Sequence, residues 1–195
     1  MSYHPTIWRT CRVLANERRL RCLEVVLRQP GLSVGEIAKQ VAIPENQASL
    51  CLRALQARGL LSARRRSRWV HYFPSPDPLV PAAAHILAVV SQAILTAKWS
   101  ADRIIHHLTA YTHPRRLTVL PCLLMKDSLT TPVLARETHI SWQALTRHLN
   151  KLSERKMIVD NDAAWSLHPD RDFFSETFLQ LIAQHADLWV RNTMN

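Results

Sequence analysis

The sequence predicts a mainly α-helical protein with small β hairpins, built as two copies of one unit. Three observations predict it. The 195 residues include three glycines (Gly31, Gly35 and Gly59) and hold long stretches with helical apolar spacing. In each half, two short strand-like runs follow a pair of helical segments. Finally, the chain repeats itself at an offset of 97 residues. In one ungapped register Arg18-Arg19-Leu20 falls on Arg115-Arg116-Leu117, Leu23 on Leu120, Leu27 on Leu124, Leu32 on Leu129 and Ala38 on Ala135. Ile43 on Ile140, Leu52 on Leu149, Leu55 on Leu152 and Arg58 on Arg155 complete the register. The repeat divides the chain into 1–98, a first unit with its following helix, and 99–195, a second unit with a C-terminal helix.

In the first unit a helix is expected over roughly 5–28, with a break near Asn16 and a stop at Pro30-Gly31. Ser33-Val34-Gly35-Glu36 is a capping box, in which hydroxyl and carboxylate satisfy free amides at a helix start. That helix runs about 34–40 and is followed by the short turn Val41-Ala42-Ile43. Pro44 suits the entry of the next helix, and Gly59 suits its exit. Leu60 to Arg64 and Trp69 to Phe73, joined by Arg65-Arg66-Ser67, read as a hairpin with a basic tip. Pro74, Pro76, Pro78 and Pro81 exclude a regular element there and mark a linker or an ordered elbow. An apolar helix follows over 82–98, and Ser100 caps a helix leading into the second unit. The second hairpin is shorter: Ile158-Val159-Asp160-Asn161-Asp162 leads to Trp165-Ser166-Leu167. A last helix is expected over 172–191, with Phe174, Phe178, Leu181, Ile182, Leu188 and Trp189 on its apolar face.

Helix, short turn, helix, basic hairpin is the pattern of a winged helix-turn-helix, whose second helix enters a DNA groove while the hairpin lies over phosphates. The motifs resemble the ArsR-type winged-helix transcriptional regulators. Leu14-Ala15-Asn16-Glu17-Arg18-Arg19-Leu20 is similar to that family's first-helix signature, and Leu108-Thr109-Ala110-Tyr111-Thr112-His113-Pro114-Arg115-Arg116-Leu117 matches it better. Leu52-Arg53-Ala54-Leu55-Gln56-Ala57-Arg58-Gly59-Leu60-Leu61 resembles the end of its recognition helix. Arg64-Arg65-Arg66-Ser67-Arg68-Trp69-Val70-His71-Tyr72 resembles its wing. Thr146-Arg147-His148-Leu149 stands where the family has Ser-Arg-His-Leu. Family members pair as homodimers through their first and last helices. The resemblance therefore implies a fused pseudo-dimer, with 82–112 and 172–191 near an internal two-fold; the same helices can instead pair two chains. It also implies a repressor.

Charge points the same way. Lys and Arg number 25 against 15 Asp and Glu, for a net +10. Residues 1–81 carry 13 basic and 5 acidic side chains, against 12 and 10 in 82–195. A basic surface seeks polyanions. On a helical wheel Ala48, Leu52 and Leu55 form one core face, and Leu145, Leu149 and Leu152 the other. Opposite the first lie Asn46, Leu50 and Arg53, with Gln47 and Ser49 at the sides. Opposite the second lie Gln143, Arg147 and Asn150, with Thr146 and His148 beside them. Arg147 can read guanine, and Gln143 or Asn150 adenine. In the first copy Leu50 and Cys51 replace the family's Arg-His pair: either Leu50 contacts a thymine methyl, or that helix reads little sequence. The wings invert this order. Arg64, Arg65, Arg66 and Arg68 suit phosphate neutralisation and minor-groove entry, whereas Asp160 and Asp162 repel phosphate. The expected partner is double-stranded DNA, gripped by the first unit and read by the second if that unit binds DNA.

Other chemistry is not expected. The family's metal-binding Cys-x-Cys is replaced by Ser33 and Gly35, and by Thr130 and Pro132 in the second copy. His85, the adjacent His106-His107, and His185 with Asp187 do not share a helix face, so no cofactor or metal is expected. The scattered Cys11, Cys22, Cys51 and Cys122 read as free thiols in or near the core. No phosphate-cradling glycine loop, nucleophile elbow or zinc-protease motif occurs, so an enzyme is not expected. Asp160/Asp162 and Asp170/Asp172 read as structural. No apolar run reaches the length of a membrane span, since Ser91 and Gln92 interrupt His85 to Leu95. The N-terminus lacks a signal-peptide pattern, so the expected location is cytoplasmic. The competing reading is a tandem winged-helix scaffold or architectural protein without sequence-specific DNA reading. The effector is unknown from the sequence.

Overall fold

A computed structural model describes residues 6–184. The fold is mostly helical, with two small antiparallel three-stranded sheets. The chain divides into two compact units, Met1–Leu108 and Thr109–Asn195.

In the first unit α1 (Ile7–Leu14) and α2 (Glu17–Arg28) are separate helices. The break falls at Ala15-Asn16 because Asn16 turns extended and caps α2, its Oδ1 accepting from Arg19 N at 3.1 Å. The Arg19 side chain reaches back to the carbonyls of Val13 and Arg12 at the end of α1. After β1 (Leu32–Ser33), the capping box opens α3 (Val34–Val41): Ser33 Oγ accepts from Glu36 N and the Glu36 carboxylate accepts from Ser33 N. These bonds hold the Glu36 carboxyl below its ordinary value. Ala42 adopts the left-handed region (φ 58°), and α4 (Glu45–Gln56) starts after Pro44. Gly59 (φ 67°) ends α4: its N–H donates to Gln56 O at 2.8 Å and Leu60 N donates to Leu55 O at 3.2 Å. This cap claims Leu60, so β2 covers Ser62–Arg66 rather than starting at Leu60. With β3 (Trp69–Phe73) it closes a sheet of order β1-β3-β2.

The proline segment is an ordered elbow. Asp77 N donates to Gly59 O at 2.9 Å, and Val80 lies so close that a Cβ on Gly59 would meet its Cβ at 2.7 Å. The expected helix over 82–98 is α5 (Ala83–Ser91) continued as a π-helical segment over Gln92–Thr96. Ser91 Oγ donates to Leu87 O at 2.6 Å just before the ladder widens. Ser100 Oγ accepts from Arg103 N at 3.2 Å and opens α6 (Ala101–Leu108). Because α6 packs on α1 and α2, the division falls after Leu108 rather than between 98 and 99.

The second unit repeats the order. A 3-10 turn (Thr109–Tyr111) precedes α7 (Pro114–Met125), β4 (Leu129–Thr130), α8 (Thr131–Thr138) and α9 (Trp142–Glu154). Then come β5 (Ile158–Asn161), β6 (Ala164–Leu167) and α10 (Phe173–Gln184), with sheet order β4-β6-β5. The α10 helix packs on α7. Tyr111 is fully buried, stacked on Phe178 at 4.4 Å, and its hydroxyl donates to Met157 Sδ at 3.1 Å. The rest of the helix expected to 191, with His185, Asp187, Leu188 and Trp189, lies outside the described residues.

Among the described residues no helix is long and apolar enough to cross a membrane. Among them, too, no group of three or more His, Cys, Asp and Glu side chains is placed to hold a metal ion.

Candidate nucleic-acid interface

Each unit presents a helix whose inner face is core and whose outer face meets solvent. In α4, Ala48, Leu52 and Leu55 are fully buried. Burying two leucines contributes roughly 4 kcal/mol, which fixes the rotation of the helix on its axis. Asn46, Leu50 and Arg53 are therefore exposed, with Gln47 and Ser49 half-buried at the flanks. Asn46 Oδ1 accepts from Gln47 N at 2.8 Å, and Gln47 Oε1 accepts from Arg18 of α2 at 3.2 Å. The flank of α4 is thus tied to the Arg-Arg-Leu motif. Leu50 stands 66% exposed on the outer face. Cys51 turns inward and hydrogen-bonds the buried Cys22, whose thiol is pushed up to about 12 by burial and by Cys51.

In α9, Leu145, Leu149 and Leu152 are buried, while Gln143, Arg147 and Asn150 are exposed. Arg147 Nε donates to Gln143 O at 3.3 Å, and the Thr146 hydroxyl donates to Trp142 O at 3.0 Å. His148 differs from its neighbours. It is half-buried, and its ring lies 4.5 Å from that of His113 at the N-cap of α7. Burial, then His113, Arg116, Arg115 and Arg147, push it down to about 4, so it is neutral near pH 7.

The hairpins supply the remaining charge. Pairing of Arg64 with His71 and Arg66 with Trp69 puts Arg64, Arg66, Trp69, His71 and Phe73 on one face of the first sheet. Tyr72 on the other face is buried. Arg64 lies over Phe73 at 4.9 Å and Arg68 over Trp69 at 5.1 Å, and Arg65 Nε donates to Ser67 O at 3.2 Å. All four arginines are exposed. The turn is Ser67-Arg68, with Ser67 in the left-handed region (φ 58°), and not Arg65-Arg66-Ser67. The second hairpin turns at Asp162 (φ 49°) and Ala163 (φ 76°), the backbone of a type I′ turn. Its exposed tip carries Asp160, Asn161 and Asp162.

Sequence reasoning passed over several residues of these surfaces. Arg18 bonds the α4 flank, and Arg115, Arg116 and Lys151 line a cleft with Arg147 and His148. The matching Arg-Arg-Leu motifs were the available signal for the first three. Trp69 and Trp142 are 49% and 56% exposed beside these sites. No protein-family model and no curated protein matches the chain.

Proposed function

We propose that the chain is a DNA-binding transcriptional regulator, acting as a repressor from the cytoplasm. It would hold double-stranded DNA through two winged helix-turn-helix units related by an internal repeat. The units would form an intrachain pseudo-dimer, with pairing of two chains as the other arrangement. The observation that carries this reading is the first hairpin, with Arg64, Arg65, Arg66 and Arg68 all exposed on one short ribbon, in the unit that also holds the turn-mounted helix α4. Four such cations have a counterion-release advantage on any polyphosphate. Gln143, Arg147 and Asn150 on α9 support base reading by the second unit. The element order of the two units, from α2 and from α7 onward, supports the repeat.

The test is binding to a generic duplex and to the DNA upstream of the protein's own gene across about 50 to 200 mM salt. Engaging six or more phosphates costs about 10³-fold or more in affinity over that range. A steep slope with preference for the upstream fragment is expected. Absence of binding at the low-salt end overturns the reading.

One observation favours the competing scaffold reading. Leu50 and Trp69 are large exposed apolar side chains in the unit expected to grip DNA, and Asp160 and Asp162 face solvent in the other. A scaffold keeps its protein partner when the four hairpin arginines become alanine, whereas a DNA binder loses affinity.

A further inference from the structure

A concave cleft of about 400 Å³ lies in the second unit, and base reading by α9 does not account for it. From the start of α7 it receives His113, Arg115 and Arg116; from α9 it receives Arg147, His148 and Lys151. Ala144 forms the small apolar part of the wall and leaves the space open. Among the described residues no carboxylate lines it. Glu154 reaches Lys151 Nζ at 2.8 Å through a pairing within α9.

The cleft is built rather than incidental. Arg116 is locked in place: its Nε donates to Ala110 O at 2.8 Å, and Nη2 donates to Thr109 O at 2.9 Å and Thr112 Oγ1 at 2.8 Å. His113 Nδ1 accepts from Arg115 N at 3.2 Å, which leaves the ring proton on Nε2. That bond also sets the first turn of α7, whose amides add partial positive charge at the cleft. Holding three guanidiniums, an ammonium and two imidazoles around one concavity is electrostatically costly without an anion. Two guanidinium forks and an ammonium suit an oxyanion, and a phosphoryl group offers enough oxygens to engage all three where a carboxylate has two. The volume leaves room for a substituent on it.

We propose that this cleft is a phosphate-binding site, which seats one phosphoryl group between Arg115, Arg147 and Lys151. The phosphoryl group belongs either to a DNA backbone or to a free phosphorylated compound, and the site stands on its own chemistry in both cases. His148 is its built-in reporter. The titratable groups facing it are His113, Arg115, Arg116 and Arg147, all of them bases. A bound phosphate offsets their repulsion and draws a proton onto the imidazole. Protonation of His148 and binding of phosphate are therefore linked, each favouring the other.

The experiment is an NMR titration of the His148 ring in the full chain from about pH 8 to about pH 5, where a neutral histidine with a midpoint near 4 stays silent. It is run with and without millimolar inorganic phosphate at constant ionic strength, and again with a short duplex DNA. His148→Gln assigns the signal. The expected result is a His148 midpoint carried upward into the scanned range by phosphate. In Arg115→Gln/Arg147→Gln, changed at two exposed positions, the response weakens at least tenfold. If duplex DNA gives the same midpoint and competes with phosphate, the source is a DNA backbone. If phosphate acts and DNA does not, the site takes a free phosphorylated compound, and the reading of the chain as a DNA binder is tested separately by its salt slope. A His148 ring unmoved by either probe, or a phosphate response undiminished in the double variant, overturns the proposal.

Discussion

The two units run through the same order of elements from α2 and from α7, and they differ where the chain meets solvent. In the first, the hairpin is long and cationic, the helix exit is a glycine, and the exposed face of α4 carries Leu50. In the second, the hairpin is short and acidic, the exit is Lys156, and α9 carries Gln143, Arg147 and Asn150. The shared parts are those that physical chemistry makes expensive to change. Arg19 donates to Val13 and Arg12 carbonyls, and Arg116 does the same to Ala110 and Thr109. In each unit one arginine satisfies the orphan carbonyls of the preceding helix or turn. Apart from the helix exits, what differs lies on exposed surface, where changes cost little stability.

The sharpest way to break the comparison is to exchange the hairpin charges. Converting Arg64, Arg65, Arg66 and Arg68 to Ala should lower the salt slope of DNA binding by about 3 to 4, since each phosphate contact contributes about 0.9. That corresponds to about 100-fold less sensitivity across a fourfold change in salt. Asp160→Arg/Asp162→Arg in the second hairpin should raise binding to generic duplex. A fluorescence-anisotropy series in salt reads both. Equal slopes in the wild type and the alanine variant would remove the first hairpin from the interface.

Helix exits give the next largest effect. Gly59→Ala forces a Cβ onto φ 67° and against Val80 at 2.7 Å, where the elbow backbone is hydrogen-bonded to Gly59 itself. Overpacking plus left-handed strain should cost about 3 kcal/mol, read as a lower denaturation midpoint. A loss below about 1 kcal/mol would show that the elbow yields freely.

The arginine anchors come third. Arg116→Ala removes three half-buried hydrogen bonds and takes the arginine donor from the Ala110 carbonyl, while Thr109 O keeps its bond from the Thr112 hydroxyl, at a cost of about 2 kcal/mol. Arg19→Ala, whose bonds end on two carbonyls alone, should cost about 1 kcal/mol. Urea unfolding of the two variants ranks them, and equal losses would refute the distinction.

His148 sets a pH dependence on the second unit. Its folded midpoint, near 4, lies below the ordinary value of 6.5, so the unfolded chain binds the proton more readily. Stability from this group is complete above about pH 6.5 and is lost as pH falls toward 4. His148→Gln should flatten that decline. Discounted for the ring's partial exposure, the gain is about 1 kcal/mol at pH 5. A variant that tracks the wild type through this window would show that His148 does not carry the decline.

Much of this was legible in the sequence because it is written in local signals. Ser33 with Glu36, Pro44 and Gly59 mark helix ends through bonds spanning a few residues, and leucine spacing marks the inner faces of α4 and α9. The cleft was not legible. Arg115 and Arg147 come together only when α7 packs on α9, and no spacing along the chain announces that. His148 sat beside the base-reading residues on the wheel, yet the neighbouring ring of His113 draws it inward. The π segment after Ser91 was hidden for another reason: nothing in Gln92-Ala93-Ile94-Leu95-Thr96 is an unusual helix composition.

The smallest effect tests the comparison most directly. Lys156 closes α9 in the left-handed region (φ 55°), its N–H donating to Ser153 O at 2.8 Å while Met157 N donates to Leu152 O at 3.0 Å. Gly59 closes α4 with the same pair of bonds on Gln56 and Leu55. The motif demands a positive φ in both places, and a side chain there costs about 1 kcal/mol in backbone strain. Lys156→Gly releases that strain and pays back part of it in the greater freedom of the unfolded chain, for a net gain of about 0.5 kcal/mol. Lys156 is exposed, so little packing is lost. A gain would mean that the second unit tolerates a strained exit, and that the glycine of the first is demanded by the elbow packed upon it. A loss would mean that the Lys156 side chain stabilises the unit by more than its backbone costs.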